Sequence, residues 1–292
     1  MKTLSGNHHE EVREAERFQF GRHWQAFLKN VDQQVILQAK TSLLTALNLD
    51  NLNGKRFIDA GSGSGLFSLA ARLLGADVLS FDIDLDSVAC TRELKRRYLP
   101  QDHDWVIIEG SVLDQTFVGE LQPADIVYSW GVLHHTGALW SALENVISCV
   151  ADGGLLYIAL YNNQGGASRR WTTIKKLYNR LPGPLRFLVL WPAFARLWGP
   201  TTVRDVLRCK GFQTWSRYSR ENRGMSPWRD VVDWVGGFPF EVSRPEEVLA
   251  FCRKRGCELV HLKTCGGGRG CNEYVFCKLH STHNSPACLT RS

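Results

Sequence analysis

The sequence predicts an α/β fold with a doubly wound, mainly parallel sheet. Three observations carry that prediction. The apolar run Phe57-Ile58-Asp59-Ala60 leads into Gly61-Ser62-Gly63-Ser64-Gly65, and Leu66 to Leu74 continues with helical spacing. Further short apolar runs alternate with helical patterns as far as Leu160, as in a parallel sheet with crossover helices. Two last strand-like runs, Cys257 to Thr264 and Asn272 to Lys278, flank the turn Gly266-Gly267-Gly268-Arg269-Gly270.

Residues 1–50 are expected to form an N-terminal helical cap. Glu11 to Phe27 is polar but carries Phe18, Phe20, Trp24 and Phe27, an aromatic set suited to lining a pocket. Val35 to Leu47 has an apolar stripe at Val35, Ile36, Ala39, Leu43, Leu44 and Leu47. That helix either folds over a site or covers the sheet edge.

Residues 51–160 are expected to form the ligand-binding core. The glycines permit a tight turn and close approach of a ligand, where a Cβ would collide. The helix start offers unpaired N–H groups to a negative group. Val78 to Ile83 reads as the second strand and brings Asp82 to its end. Trp105 to Gly110 reads as the third, Asp125 to Trp130 as the fourth and Gly154 to Leu160 as the fifth. Helices are expected at 66–74, 86–98 and 138–150. Ligands of such sheets bind beyond the strand C-terminal ends. Gly61, Asp82, Ser111 and Trp130 fall there.

The next helix starts late. Ser243 suits its N-cap, Pro245, Glu246 and Glu247 its first turn, and Gly256 its stop. Residues 161–243 are therefore an insertion at the sheet rim, expected as a mainly helical lid. They hold fourteen Lys and Arg against five acids, an excess of nine, while the whole chain is only +6. Six of the ten tryptophans lie there too. A basic, aromatic lid predicts an anionic partner. Leu185 to Trp198 is apolar with flanking Arg. It reads as a buried lid helix pair broken at Pro192, with a membrane-interface contact as the alternative. Residues 244–279 return to the core as a helix and strand pair. A plain hairpin is expected at the glycine turn, with Arg269 and Asn272 facing substrate as the alternative. Residues 280–292 read as a disordered polar tail.

Asp59-Ala60-Gly61-Ser62-Gly63-Ser64-Gly65 departs from the dinucleotide spacing G-x-G-x-x-G. It resembles the first motif, D/E-x-G-x-G-x-G, of class I S-adenosylmethionine-dependent methyltransferases. The chain resembles the branch that includes the ubiquinone-pathway O-methyltransferases and related small-molecule enzymes. The resemblance covers most of residues 50–160 and the chain end. It implies a Rossmann-like seven-stranded sheet whose last strand is antiparallel. It implies S-adenosylmethionine as cofactor and S-adenosylhomocysteine as product. By the same resemblance Asp59, Gly61, Ser62, Gly63 and Gly65 surround the cofactor, and Asp82 takes the ribose hydroxyls. Ile83 lies on the adenine face, with Ser111 and Val112 beside it, and Trp130 marks the methionine–substrate boundary. Many relatives carry an acid after the third strand. Here Ser111 stands in that place, and Ser111 or Asp114 is left to meet the adenine amino group.

Methyl transfer of this kind depends mainly on orientation and exclusion of water. An oxygen nucleophile must also lose a proton, so a nearby base helps. His135 and His134, just after the fourth strand, are the candidate bases. The plainer alternative makes one of them a packing residue under the cofactor. Trp24, Tyr161, Asn162 and Arg169 are the candidate substrate contacts.

No metal site is expected. The histidines are scattered, and the five-residue gaps between Cys265, Cys271 and Cys277 suit zinc poorly. The nine cysteines form no C-x-x-C pair. The first 17 residues are polar and charged, and no run of about 18 apolar residues occurs. Reduced thiols and a cytoplasmic location are the expectation. The function expected is methyl transfer to an oxygen, or a nitrogen, of a small or medium anionic acceptor. The alternatives are a tRNA or other RNA methyltransferase that uses the basic lid, and a non-catalytic S-adenosylmethionine-binding partner protein.

Overall fold

A computed structural model describes residues 24, 28, 31–208, 213–221 and 226–280. The element order is α1 (Gln33–Leu47), β1 (Arg56–Ala60), α2 (Leu66–Leu73), β2 (Asp77–Asp82), α3 (Leu85–Tyr98), β3 (Trp105–Glu109), α4 (Gln115–Glu120), β4 (Ala124–Trp130), α5 (Leu139–Ser148) and β5 (Val150–Tyr161). Then come α6 (Gly166–Arg180), α7 (Phe187–Leu207), α8 (Gln213–Glu221), α9 (Pro227–Gly236), α10 (Pro245–Arg253), β6 (Cys257–Lys263) and β7 (Cys271–Lys278).

The seven strands form one sheet in the order β3-β2-β1-β4-β5-β7-β6. The first five pair in parallel, and β7 runs antiparallel to both β5 and β6. The order reverses between β1 and β4. The loops leaving those two strands part there and open a crevice.

Both faces of the sheet are covered, which explains the near-continuous apolar strands. One core joins Phe57, Val78 and Trp105 to α1 and α2. The other joins Ile58, Val127 and Ile158 to Leu143 of α5 and Val248 of α10. Helix α1 belongs to the first core: Asp32 caps it by accepting from the Val35 N–H at 2.9 Å, and Ile36, Ala39, Leu43 and Leu47 are buried. It covers the sheet and does not reach the crevice. Of the aromatic helix expected over Glu11 to Phe27, all but Trp24 lies outside the described residues.

The insertion between β5 and α10 is helical and has a core of its own. Tyr178, Leu190, Ala193, Trp198, Val231 and Val235 are buried together there, with Trp171, Trp215 and Trp234 packed around them. The expected buried helix pair over Leu185 to Trp198 is one helix, α7, which contains both Pro192 and Pro200. Only half of it is buried. Leu190, Ala193 and Trp198 face the insertion core, while Phe187, Leu188 and Trp191 are exposed. Among the described residues, the cysteines at 90, 149, 252, 257, 265 and 271 form no disulfide. Cys277 departs from the expectation of reduced thiols and is disulfide-bonded.

Candidate functional site

A cavity of about 770 Å³ opens over the β1–β4 reversal. Its floor is the glycine loop. Gly61, Gly63 and Gly65 have φ of 85°, 54° and 77°, where side chains are disfavoured. The Gly61 and Ser62 N–H groups donate to the Phe81 carbonyl at 2.8 and 3.1 Å, which ties the loop to β2. A Cβ on Gly61 would stand 2.4 Å from a Val132 methyl, and one on Gly63 would stand 3.1 Å from the Trp24 indole nitrogen. Trp24 thus lies across the loop and lines the cavity. Gly65 plays a different part from the one expected. It caps α2 against Thr91, whose Cα a Cβ would meet at 2.9 Å, and does not line the cavity.

Two carboxylates stand at the floor. Asp82, at the end of β2, accepts from the Gly63 N–H and the Asp84 N–H, one on each oxygen, both at 2.9 Å. The Ile83 N–H also reaches the carboxylate, which keeps part of its acceptor capacity for a ligand. Burial pushes its pKa up to about 6, partly opposed by those backbone donors. Asp59 is deeper. A chain of hydrogen bonds holds it: the Trp105 indole donates to Ser80 at 2.8 Å, Ser80 to Ser68 at 2.8 Å, and Ser68 to Asp59 at 2.5 Å. Burial raises Asp59 to about 7, helped by the Asp82 charge and opposed by Ser68.

Ile83 is 47% exposed, an apolar side chain presented to the cavity. Ser111, Val112 and Leu113 also line it. Ser111 Oγ accepts from the Leu113 N–H at 3.2 Å. Asp114 points elsewhere: it caps α4 through the Thr116 and Phe117 N–H groups.

The two histidines separate. They occupy a 3₁₀ turn, Leu133–His135, after β4. His134 is fully buried, stacks on Tyr161 with ring centroids 3.8 Å apart, and accepts from the Tyr161 N–H at 3.3 Å. It does not line the cavity and cannot meet a substrate, so its candidacy as a base fails. His135 does line it. Its Nδ1 lies 2.6 Å from the Pro239 carbonyl. A carbonyl only accepts, so Nδ1 carries the proton and Nε2 keeps a lone pair. Burial and the Lys175 charge push the His135 pKa down to about 3. The ring stays neutral.

Beyond His135 the wall comes from the insertion and the last hairpin. Tyr161, Tyr218, Asp230, Asp233, Trp234 and Arg269 all contribute. The Trp234 indole N–H is buried and has no acceptor among the described residues. Asp230 is raised by burial, against the hydrogen bond from Tyr218 and the Arg269 charge. Arg269 stacks over Trp234 at 5.3 Å and is lowered by burial. The glycine turn is therefore more than a plain hairpin. Behind this wall sits Lys175, fully buried, donating to the Trp234 carbonyl, with its ammonium 4.6 Å from the rings of Trp234 and Phe240. Burial lowers it to about 7, with Asp233 opposing.

Two other expected contacts stand elsewhere. Asn162 clips the hairpin by donating to the Gly268 carbonyl and accepting from Asn272. Arg169 is exposed on α6. None of the described Lys or Arg side chains of the insertion lines the cavity. Asp230, Asp233, Trp234 and Lys175 escaped sequence reading. The available signal was the i, i+3, i+4 spacing of the first three on one helix. Among the described residues no three His, Cys, Asp or Glu gather as a metal cage.

A sheet of this order, with an antiparallel β7 and its crevice over the β1–β4 reversal, is the fold of the class I methyltransferases. The chain belongs to the methyltransferase domain family, whose model matches residues 31–225. It is 35% identical over 117 residues to ribosomal protein L11 methyltransferase of Klebsiella pneumoniae, covering 35% of this chain and 40% of that protein. It is 30% identical over 119 residues to tRNA U34 carboxymethyltransferase of Methylococcus capsulatus, covering 40% of this chain and 36% of that protein. The chain thus spans well under half the length of these curated relatives. Magnesium protoporphyrin IX methyltransferase of Synechocystis, solved with S-adenosylhomocysteine, has the same fold at a TM-score of 0.52. The match has 14% identity and covers 88% of this chain and 94% of that one.

S-adenosylmethionine is the cofactor of this class, and the crevice suits it. The loop leaves no room for a Cβ at Gly61, Asp82 retains acceptor capacity, and Ile83 offers an apolar face for a base.

Proposed function

We propose that the chain transfers the methyl group of S-adenosylmethionine to an oxygen of a small or medium polar acceptor. This places it with the small-molecule O-methyltransferases. The observation that carries the reading is the Asp82 carboxylate, tied to the Gly63 N–H at the crevice floor with acceptor capacity left on its pair of oxygens. Such a pair takes two neighbouring ribose hydroxyls. Ile83 and Val112 enclose the base, with Ser111 at its edge, and the loop N–H groups face the charged end.

S-adenosylmethionine supplies a methyl group already activated on a sulfonium. The chain must orient the acceptor, exclude water and receive a proton. His135 Nε2 is the proton acceptor, held in its tautomer by the Pro239 carbonyl. That role favours an oxygen nucleophile over an amine. Trp130 and Tyr161 form the boundary between the two halves of the crevice, and Trp24 closes the cofactor side.

The acceptor end holds two carboxylates and one guanidinium, so a strongly anionic acceptor is disfavoured. A molecule with several hydroxyl groups fits better: Asp230 and Asp233 accept, while Arg269 donates. The same carboxylates speak against an RNA backbone in the crevice.

Calorimetric titration with S-adenosylmethionine and S-adenosylhomocysteine tests the reading. Micromolar binding of both, lost in Asp82→Ala, is expected. Absence of binding to either overturns it.

A further inference from the structure

From Asn163 to Arg204 the chain holds eight Lys and Arg and not one Asp or Glu. This stretch comprises α6, the turn Gly183–Leu185 and most of α7. It also exposes its largest apolar side chains. Leu185, Phe187, Leu188 and Trp191 are 43%, 51%, 55% and 60% exposed. The exposure continues along α7 at helical spacing, through Ala195 to Val203 and Val206. Trp191 packs on Trp228 at 5.5 Å and forms an aromatic ridge beside the stripe. Arg180 at the end of α6 and Arg196, Arg204 and Arg208 along α7 are exposed on the same two elements. The acid that ends the stretch, Asp205, is buried and accepts from the Thr214 N–H, so it adds no charge to this surface.

An apolar stripe rimmed only by cations has few suitable occupants. Water tolerates scattered apolar residues but seldom a contiguous row of Leu, Phe, Trp and Val. RNA would use the arginines and leave the aliphatic groups in water. A surface of anionic lipid satisfies both at once: aliphatic and tryptophan side chains enter the headgroup–acyl boundary while Lys and Arg meet phosphates. No helix of the described residues is long and apolar enough to cross a membrane, so the contact would lie in the interface.

We infer that α7 and the end of α6 dock this protein on an anionic lipid bilayer. The opposite side of α7 buries Leu190, Ala193 and Trp198 in the insertion core, and Leu197 lines the crevice. One helix thus touches lipid on one side and the acceptor chamber on the other. The inference stands independently of the methyl-transfer reading.

Sedimentation with sucrose-loaded vesicles tests it, using phosphatidylcholine alone and phosphatidylcholine with phosphatidylglycerol. The full chain is expected to pellet at least tenfold more strongly with the mixed vesicles, and high salt should weaken that binding. Leu188→Glu with Trp191→Glu should abolish it while the melting temperature and S-adenosylmethionine affinity persist. If the pair fails to fold, Arg180→Glu with Arg204→Glu keeps the apolar stripe and should cut mixed-vesicle binding at least tenfold. Failure to pellet with either vesicle overturns the inference. So does vesicle binding indifferent to both variants, a dimer that depends on Leu188, or RNA binding at this face without vesicle binding.

Discussion

The Nδ1 of His135 lies 2.6 Å from the carbonyl oxygen of Pro239, a residue 104 positions later in the chain. This bond fixes which ring nitrogen carries the proton. His135→Ala should slow methyl transfer by about tenfold, less than the loss of a base matched to neutral pH, because the lowered pKa makes the ring a weak base. Cofactor affinity should be unchanged by calorimetry. Because burial and Lys175 hold the ring neutral down to about pH 3, the histidine adds no acid limb between pH 5 and 7. A fall in rate in that window that vanishes in His135→Gln would contradict the lowered pKa, while unchanged turnover in His135→Gln would contradict the base assignment.

The buried acids predict an unusual stability profile. Asp59 is raised from 3.8 to about 7 and Asp82 to about 6. Between pH 4 and 7 the folded chain binds more protons than the unfolded one, so stability falls as pH rises. The loss is on the order of a few kcal/mol, since each pKa unit corresponds to about a kcal/mol. Asp59→Asn should flatten the slope of urea-unfolding free energy across this window in the ligand-free protein.

Lys175 predicts the opposite trend at higher pH. Its pKa falls from 10.5 to about 7, so from pH 7 to 10 the unfolded chain holds the extra proton. Stability should rise with pH there. Lys175→Met keeps an unbranched chain in the aromatic box without a charge and should remove that rise. An identical slope in both proteins would place Lys175 in contact with water.

The glycine loop predicts a ranking. Alanine at Gly61 or Gly65 pays for a left-handed backbone, about 1–2 kcal/mol. At Gly61 the obstacle is the Val132 side chain, and at Gly65 it includes the Thr91 backbone Cα. Side chains rotate more readily than backbone shifts. Gly65→Ala should therefore lower the denaturant midpoint more, although Gly61 is the one that lines the cavity.

The acceptor wall predicts a split between binding steps. Arg269→Ala and Asp233→Asn should raise the KM for acceptor and leave S-adenosylmethionine affinity alone. A loss of cofactor affinity in either variant would mean that the chamber is assigned to the wrong half.

What the sequence made legible was local. The β1 run, the three glycines and the acid ending β2 lie within 26 positions, and each needs only its neighbours to be read. Ile83, Ser111 and Trp130 follow from strand ends, Trp24 from the aromatic set around it, and all four line the crevice. What stayed hidden depends on distant partners. Lys175 looks like one solvated lysine of a basic run until Trp234 and Phe240 close around it. Arg269 looks like the tip of a hairpin until α9 brings Asp230 beside it. His134 and His135 are neighbours with identical chemistry, and both rings pack on Tyr161; only the fold shows that His135 is the one that lines the cavity. Six-residue α4 is too short to show a period. The charge of the insertion was legible in amount but not in direction, because composition does not say which helix face turns toward a cavity.

The crevice draws its wall from Trp24 at one extreme and Cys271 at the other. A chain growing on the ribosome therefore has its glycine loop and Asp82 long before it has an acceptor chamber. The last hairpin supplies Arg269 and inserts β7 between β5 and β6. A nascent or truncated chain that stops short of residue 269 would hold the glycine loop and Asp82 but lack Arg269 and β7, and with them part of the proposed acceptor wall.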